Sequence, residues 1–438
     1  MSCRSWYWSL ALLLSLSGCG DADPEPTLEG VWTTDGYGFV VRFEGDTVAL
    51  HELTTVSCLL FTSGPLEDGS LRAAGLNFRL ANDKLLIEDG GTLHITGHRT
   101  RLPEVCTRAP APSNDPVFNF EVFWRTFAEQ YALFDLYGVD WQARYERFRA
   151  RVSDGTTDDE LFAILSESLA PLTDGHIGLI GGTRRFQPKA YPADFEAHRA
   201  EITNYIFERL LAGPGVTVTA ENRMAYQSLD ERVGYIFVTR MDQFSPHPTD
   251  GAAGNAEAAG RALDEALEAL SDKDALIIDV RFNPGGYDAI SLALASRFTD
   301  VERIGFSKKT RDGDGHTPLR AYRIAPAGPR QFLKPVYLLT SGATASAAEN
   351  FTLAMSGLPQ VTIVGDRTMG AQSDILTRQM PNGWTFWLSP EIYQAPDGEV
   401  YERIGVPPDV EVALDAASLV AGSDRILQEA LRLARTGG

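Results

Sequence analysis

Cysteine is scarce in this chain. Four occur in 438 residues, at positions 3, 19, 58 and 106. None forms a Cys-x-x-Cys pair, which argues against a zinc ribbon. The seven histidines are scattered and no His-Glu-x-x-His occurs, so a zinc-hydrolase helix has no support. His94 and His98 stand four apart, but Gly97 and a strand-like context break a helical reading. No metal and no cofactor is expected. Positive charge is also short: 39 Lys and Arg against 59 Asp and Glu give a net charge of −20. That balance disfavours nucleic acid and polybasic membrane contact. What remains is ordinary for a globular chain, with 44% apolar and 22% charged residues. At roughly 100–200 residues per domain the length predicts two to four domains.

The N-terminus reads as an export signal. Arg4 supplies a positive start, and the apolar run from Trp6 to Leu16 is too short to span a bilayer. It ends in Leu16-Ser17-Gly18-Cys19, which resembles the bacterial lipobox. The resemblance implies that residues 1–18 are removed and that Cys19 carries lipid, with residues 19–26 as an acidic, Pro-containing tether. Gly20 in place of Asp implies an outer-membrane destination, with the globular part periplasmic or surface-exposed and the membrane met only through the anchor. Such a compartment is oxidising, so Cys58 and Cys106 are expected to pair.

Residues 27–109 predict a small β-meander or barrel. Short alternating runs such as Phe39–Phe43, Thr47–Leu50, Phe78–Leu80, Lys84–Ile87 and Thr92–Ile95 are separated by Glu-Gly-Asp and Asp-Gly-Gly turns. Residues 110–230 predict a Pro-rich linker and a helical cap, with Phe118, Phe120, Phe123 and Phe127 on one dense aromatic face. No carboxylate-binding loop of the PDZ type appears in 185–225. Residues 231–438 alternate strand and helix. The run Ala275-Leu276-Ile277-Ile278 is continuously apolar, as a strand of a parallel sheet buried on both faces must be. A hairpin is expected around 375–389, turning at Pro381-Asn382-Gly383.

Three segments carry chemistry. In Asp279-Val280-Arg281-Phe282-Asn283-Pro284-Gly285-Gly286 a buried strand runs into two glycines and a helix start, the ingredients of an anion-binding turn. In Thr340-Ser341-Gly342-Ala343-Thr344-Ala345-Ser346-Ala347-Ala348-Glu349 a second strand meets a helix, and small residues leave the Ser346 hydroxyl room. Read alone, Ser346 is better explained as an N-cap whose capping box is completed by Glu349. The third is His176, in Asp174-Gly175-His176, distant in sequence from Ser346.

Taken in order with Gly365-x-x-Thr-x-Gly370 and Gly405-Val-x-Pro-Asp-x-x-Val412, these motifs resemble the C-terminal processing (tail-specific) protease family, which includes the tricorn core and the interphotoreceptor retinoid-binding proteins. The resemblance covers about residues 117–438. It implies an α/β fold with a crotonase (ClpP)-like core and a helical cap, to which the N-terminal β-domain is an addition. It implies a serine-type peptidase acting on protein or peptide substrates, with Ser346 as nucleophile and Gly285, Gly286 and Ala347 as the oxyanion hole. The lysine-dependent branch carries Lys after Thr-x-Gly. Here Ala371 stands there and no Lys occurs from 335 to 438, which argues against a Ser–Lys dyad. The tricorn-like branch uses Ser, His and Glu instead, matching His176 and Glu402, with Glu399 and Glu349 as rivals for the carboxylate. The tricorn Ser that precedes its His is replaced by Gly175. The alternative is a catalytically inactive ligand-binding protein on the same fold, as in the retinoid-binding relatives. Substrate identity and oligomeric state are not written in the sequence.

Overall fold

The computed structural model describes residues 27–108, 112–189 and 191–436. The signal segment, Cys19 and the tether lie outside the described residues.

Eight antiparallel strands span Gly30–Thr34 to His94–Thr100 as a meander in which the first strand pairs with both the second and the last. Alternation places Trp32, Phe39, Val41, Phe43, Val48, Leu50, Leu85, Ile87 and Ile95 in one buried cluster. The strand expected over Thr92–Ile95 begins later, at His94. The cause is local: Asp89 Oδ1 accepts the N–H groups of Gly91 (2.8 Å) and Leu93 (3.2 Å) and holds 89–93 in a turn. Cys58–Pro65 is also a strand, on the sheet edge and with only Cys58 buried, so it carries no clear apolar alternation. Cys58, at its start, is disulfide-bonded to Cys106 in the short helix Glu104–Thr107.

The helices Pro116–Gln130, Trp141–Arg149 and Asp158–Leu169 follow. Asp115 caps the first through the Val117 N–H, and Thr157 with Glu160 forms a capping box on the third. Their aromatic face, including Phe120, Phe123, Trp124 and Phe127, packs on Trp384 and Phe386 of the later hairpin. The chain then enters the strand Gly178–Gly181, which pairs antiparallel with Thr385–Leu388 of that hairpin. The loop 173–177 is therefore anchored at both ends by the apolar residues Leu172 and Ile177.

A seven-stranded sheet forms the rest. Its spatial order is Thr217–Thr219, Met224–Ser228, Val233–Val238, Ala275–Asp279, Val336–Thr340, Val361–Gly365 and Val410–Glu411, parallel from Val233 onward. Period-two alternation sends Ile236, Leu276, Ile278 and Leu338 to one face, under the helices Ala252–Ala269, Asp288–Ala295 and Ala347–Ser356. Tyr235, Phe237, Ile277 and Leu339 go to the other, under Arg425–Thr436 and its neighbours. Both faces are covered, which explains the continuous apolar runs. A smaller sheet joins Arg303–Asp312 to Arg320–Ile324 and Glu391–Gln394. Buried Arg378 of the hairpin ties the β-domain down: its guanidinium donates to Gln130 Oε1 (3.0 Å) and to the Tyr37 carbonyl. Among the described residues no helix is long and apolar enough to cross a membrane.

Candidate active site

Two strand-to-helix turns lie side by side at the carboxyl ends of neighbouring parallel strands, where open α/β sheets commonly hold their sites. The first follows Ala275–Asp279. Asp279, Arg281 and Asn283 are all buried and build the turn. Arg281 is chelated by Asp279 and by Asp424, at 2.7 and 2.6 Å, and Tyr235 donates its hydroxyl to Asp279 (2.6 Å). Asn283 donates to the Val238 carbonyl and accepts the Gly285 N–H at 2.9 Å. The Gly285 amide is thereby occupied, whereas the Gly286 amide takes no hydrogen bond among the described residues.

Both glycines are required by geometry. Gly285 (φ +97°) has so little space that an added Cβ would sit 2.5 Å from the Ser346 Cβ and 2.9 Å from the Ala347 nitrogen. Gly286 (φ +148°) lies against the Met241 backbone, where an added Cβ would be 2.1 Å from the carbonyl oxygen. The second turn is stitched to the first: the Ala345 N–H donates to the Asn283 carbonyl (3.1 Å), and Thr344 Oγ1 donates to the Val280 carbonyl (2.9 Å).

Ser346 occupies the N-cap of Ala347–Ser356, but with φ 55° and ψ −130°, a conformation that non-glycine residues avoid. Such strain costs on the order of 1–3 kcal/mol and persists only where the surroundings enforce it. They do so here: the Ser346 N–H is held by the Ala371 carbonyl (2.9 Å) and by Glu349 Oε2 (3.3 Å). The N–H of Ala347, first in the helix, makes no hydrogen bond among the described residues. It points from the positive end of the helix dipole, beside the Gly285 backbone.

The segment 369–374 joins the distant pieces. Its Gly370 and Ala371 amides donate to Glu349 at 2.7 and 2.8 Å, and its Gln372 and Ser373 amides donate to Glu402 Oε2 at 2.9 and 3.0 Å. Gly175 packs against it so closely that an added Cβ would be 2.8 Å from the Ala371 Cβ. Ala371 and Gly175, where the resemblance leads one to expect Lys and Ser, therefore face one another. Lys189 reaches the same place from another loop and donates to the Met369 carbonyl at 2.7 Å. No sequence signal marked it.

His176 is buried beside this segment. Its backbone N–H donates to Asp174 Oδ1 (2.7 Å), while Asp174 Oδ2 accepts from Tyr131 (2.9 Å) and Ser389 (2.8 Å). Burial lowers the imidazole pKa below its usual value, against the opposing pull of Asp174, the Ser373 backbone and Asp374; Lys189 adds to the lowering. That lowering favours the neutral ring, whose Nδ1 is buried and unpartnered among the described residues. No hydrogen bond joins His176 to Ser346; both loops meet Ala371 instead.

The three carboxylates weighed from sequence separate cleanly. Glu399 is exposed on a turn. Glu349 spends its oxygens on Thr368, Gly370, Ala371 and Ser346. Glu402 is buried, with Oε1 unpartnered among the described residues, and burial together with Asp174 pushes its carboxyl well above the usual range. Ser373 lies between Glu402 and His176: its amide donates to the first (3.0 Å), and its backbone favours the charged form of the second.

Comparison with known proteins agrees with this architecture. Residues 232–412 match peptidase family S41, and residues 112–170 match the tricorn protease C1 domain. The carboxy-terminal processing protease CtpA of Bacillus subtilis is 26% identical over 160 residues, 36% of this chain and 33% of that protein. The carboxyl-terminal-processing protease of Picosynechococcus sp. is 26% identical over 210 residues, 46% of each chain. These matches thus span less than half the length of those curated relatives. Among solved structures, a putative peptidase from Parabacteroides merdae aligns with TM-score 0.63 and 29% identity, covering 74% of this chain and 97% of that one. Mature CPAF complexed with lactacystin shares the fold at TM-score 0.52 and 13% identity, over 74% of this chain and 99% of that one. Over residues 232–412 the chain is thus similar to the carboxy-terminal processing proteases of peptidase family S41.

Proposed function

We propose that this protein is a serine-type peptidase of the tricorn-like branch, built on a crotonase-like core, and that it hydrolyses protein or peptide substrates with Ser346, His176 and Glu402. The observation that carries the proposal is the conformation of Ser346: a serine held at positive φ on a helix start and packed on Gly285, while the amides of Ala347 and Gly286 take no hydrogen bond among the described residues. Nothing about an N-cap alone requires that strain.

Neutral His176 accepts the Ser346 Oγ proton as the oxygen attacks the substrate carbonyl carbon. The negative charge on the carbonyl oxygen is met by the Gly286 and Ala347 N–H groups, with Gly285 as the surface on which Ser346 rests. His176 then gives the proton to the leaving amine, and water attacks the acyl-enzyme by the same route. Glu402 orients the imidazole through the segment shared at Ser373. A Ser–His hydrogen bond that is open at rest is compatible with this chemistry, because such contacts often close only around substrate. Export as a lipoprotein anchored at Cys19 belongs to the same proposal.

The test is labelling by a fluorophosphonate together with cleavage of a peptide library. Wild type is expected to label and cleave, Ser346→Ala to do neither, and His176→Ala to lose both by about 100-fold or more. Absence of labelling in the wild type would return the protein to the inactive, ligand-binding reading.

A further inference from the structure

The mouth of the β-domain does not open to bulk solvent alone. A cavity of about 370 Å³ lies between the meander and the catalytic turn, lined by inner-face residues such as Phe39, Leu50 and Ile87 on one side and by Gly286, Tyr287 and Asp288 on the other. Gly286 directly follows the Gly285 that rests on Ser346, and its amide takes no hydrogen bond among the described residues, so the cavity begins one residue along the chain from the Gly285–Ser346 contact. A volume of this size is at the low end of ligand pockets, which run from about 300 Å³.

Its rim is a second observation. Phe61 is 45% exposed, Tyr287 40% and Ile375 53%, and all three border the cavity. They come from the β-domain, the oxyanion turn and the segment after 374, so three separate pieces of chain present large apolar surface to one opening. Exposed apolar surface gathered in this way marks a binding site rather than scatter.

The polar groups at the floor limit what enters. Asp288 accepts from Asn350 (2.7 Å) and Tyr393 (2.6 Å). Asp374 accepts from Lys308 at 2.8 Å, and Asp89 accepts from the Gly91 and Leu93 amides. Among the described residues no lysine or arginine lines the cavity. A side chain with a carboxylate would meet three carboxyl groups and no free cation.

We infer that the β-domain is a specificity element, and that its mouth receives one large apolar side chain, of the Leu or Phe class, from a substrate residue flanking the scissile bond. This rests on the peptidase reading above.

The experiment compares wild type with Phe61→Asp and Ile375→Asp, both at exposed positions on the rim, with circular dichroism confirming that each variant keeps the fold. Labelling of Ser346 by a small fluorophosphonate reports the chemistry alone and is expected to stay within about twofold. Cleavage of a library varied on both sides of the scissile bond is expected to favour Leu and Phe over Ala, Lys and Glu at one position. That preference should fall by about tenfold or more in each variant, the scale on which apolar pockets discriminate. Labelling with no apolar preference, or a preference that both variants keep, overturns this inference and leaves the peptidase reading standing. Failure of the wild type to label overturns both.

Discussion

A methyl group placed on Gly285 would sit 2.5 Å from the Cβ of Ser346, well inside contact distance. The glycine is thus the surface against which the serine is seated. Its own φ of +97° adds backbone strain to any substitution. Gly285→Ala is expected to retain the fold, with a loss of about 1–3 kcal/mol in stability. It should slow Ser346 labelling and peptide cleavage by about 100-fold or more, the scale on which oxyanion geometry acts. Circular dichroism with labelling kinetics checks both halves. Labelling at the wild-type rate would show that the contact does not govern the reacting geometry.

On the proposed mechanism the acidic limit of activity follows from His176. As the proposed base it must be neutral, and burial lowers its pKa, so kcat/KM should hold as pH falls through 6.5 and decline only below it. Lys189 contributes to that lowering, while Asp174 and Asp374 oppose it. In Lys189→Met the cation is gone, the pKa rises, and the acidic limb should move upward in pH; Lys189→Arg should move it less. The profile of fluorophosphonate labelling against pH is the measurement. A limb unmoved in Lys189→Met would confine Lys189 to holding the Met369 carbonyl.

Some of this was legible in the sequence, for physical reasons. Strands buried on both faces, such as Ala275–Asp279, announce themselves as unbroken apolar runs. The glycines at 285 and 286 are forced by backbone approach, and so stood out as a motif. Edge and charged strands did not. Cys58–Pro65 buries only Cys58, and Arg303–Asp312 carries Lys308 and Lys309. Lys308 is buried only because Asp374 and Glu391, far along the chain, surround its ammonium at 2.8 and 3.1 Å. No local pattern encodes such a pairing. The same holds for Lys189, and for the meeting of Gly175 with Ala371, which exists only once two loops distant in sequence have folded together.

The Lys308 cluster makes stability depend on pH. Glu391 is fully buried, and burial with the Asp374 charge pushes its carboxyl up to about 8. Its unfolded value is about 4.3. Between these values the folded protein holds a proton that the unfolded chain has released. Stability from this group is therefore complete at low pH and lost as pH rises, by at most about 1.4 kcal/mol per pH unit. Gln mimics the neutral acid without titrating. The melting temperature of Glu391→Gln relative to wild type should accordingly increase from pH 5 to pH 8. Asp288, pushed up to about 6, contributes with the same sign in both proteins and cancels from the difference. Parallel curves would mean that Glu391 is ionised throughout, as a partner of Lys308.

The disulfide bears on the β-domain. Cys58 and Cys106 are separated by 48 residues, and their bond fastens the edge strand Cys58–Pro65 to the helix Glu104–Thr107, where the chain leaves the domain. Closing a loop of that length restricts the unfolded chain and stabilises by about 2–4 kcal/mol. The edge strand also carries Phe61, on the rim of the cavity. In Cys58→Ser/Cys106→Ser the melting temperature should fall below that of the oxidised wild type, and the two should coincide once the wild type is reduced. Apolar preference in cleavage should weaken in the same variant while Ser346 labelling persists, because the edge strand loses its tether and the catalytic turns do not. An equal loss of labelling would mean that the β-domain supports the catalytic turns themselves and not only the opening beside them.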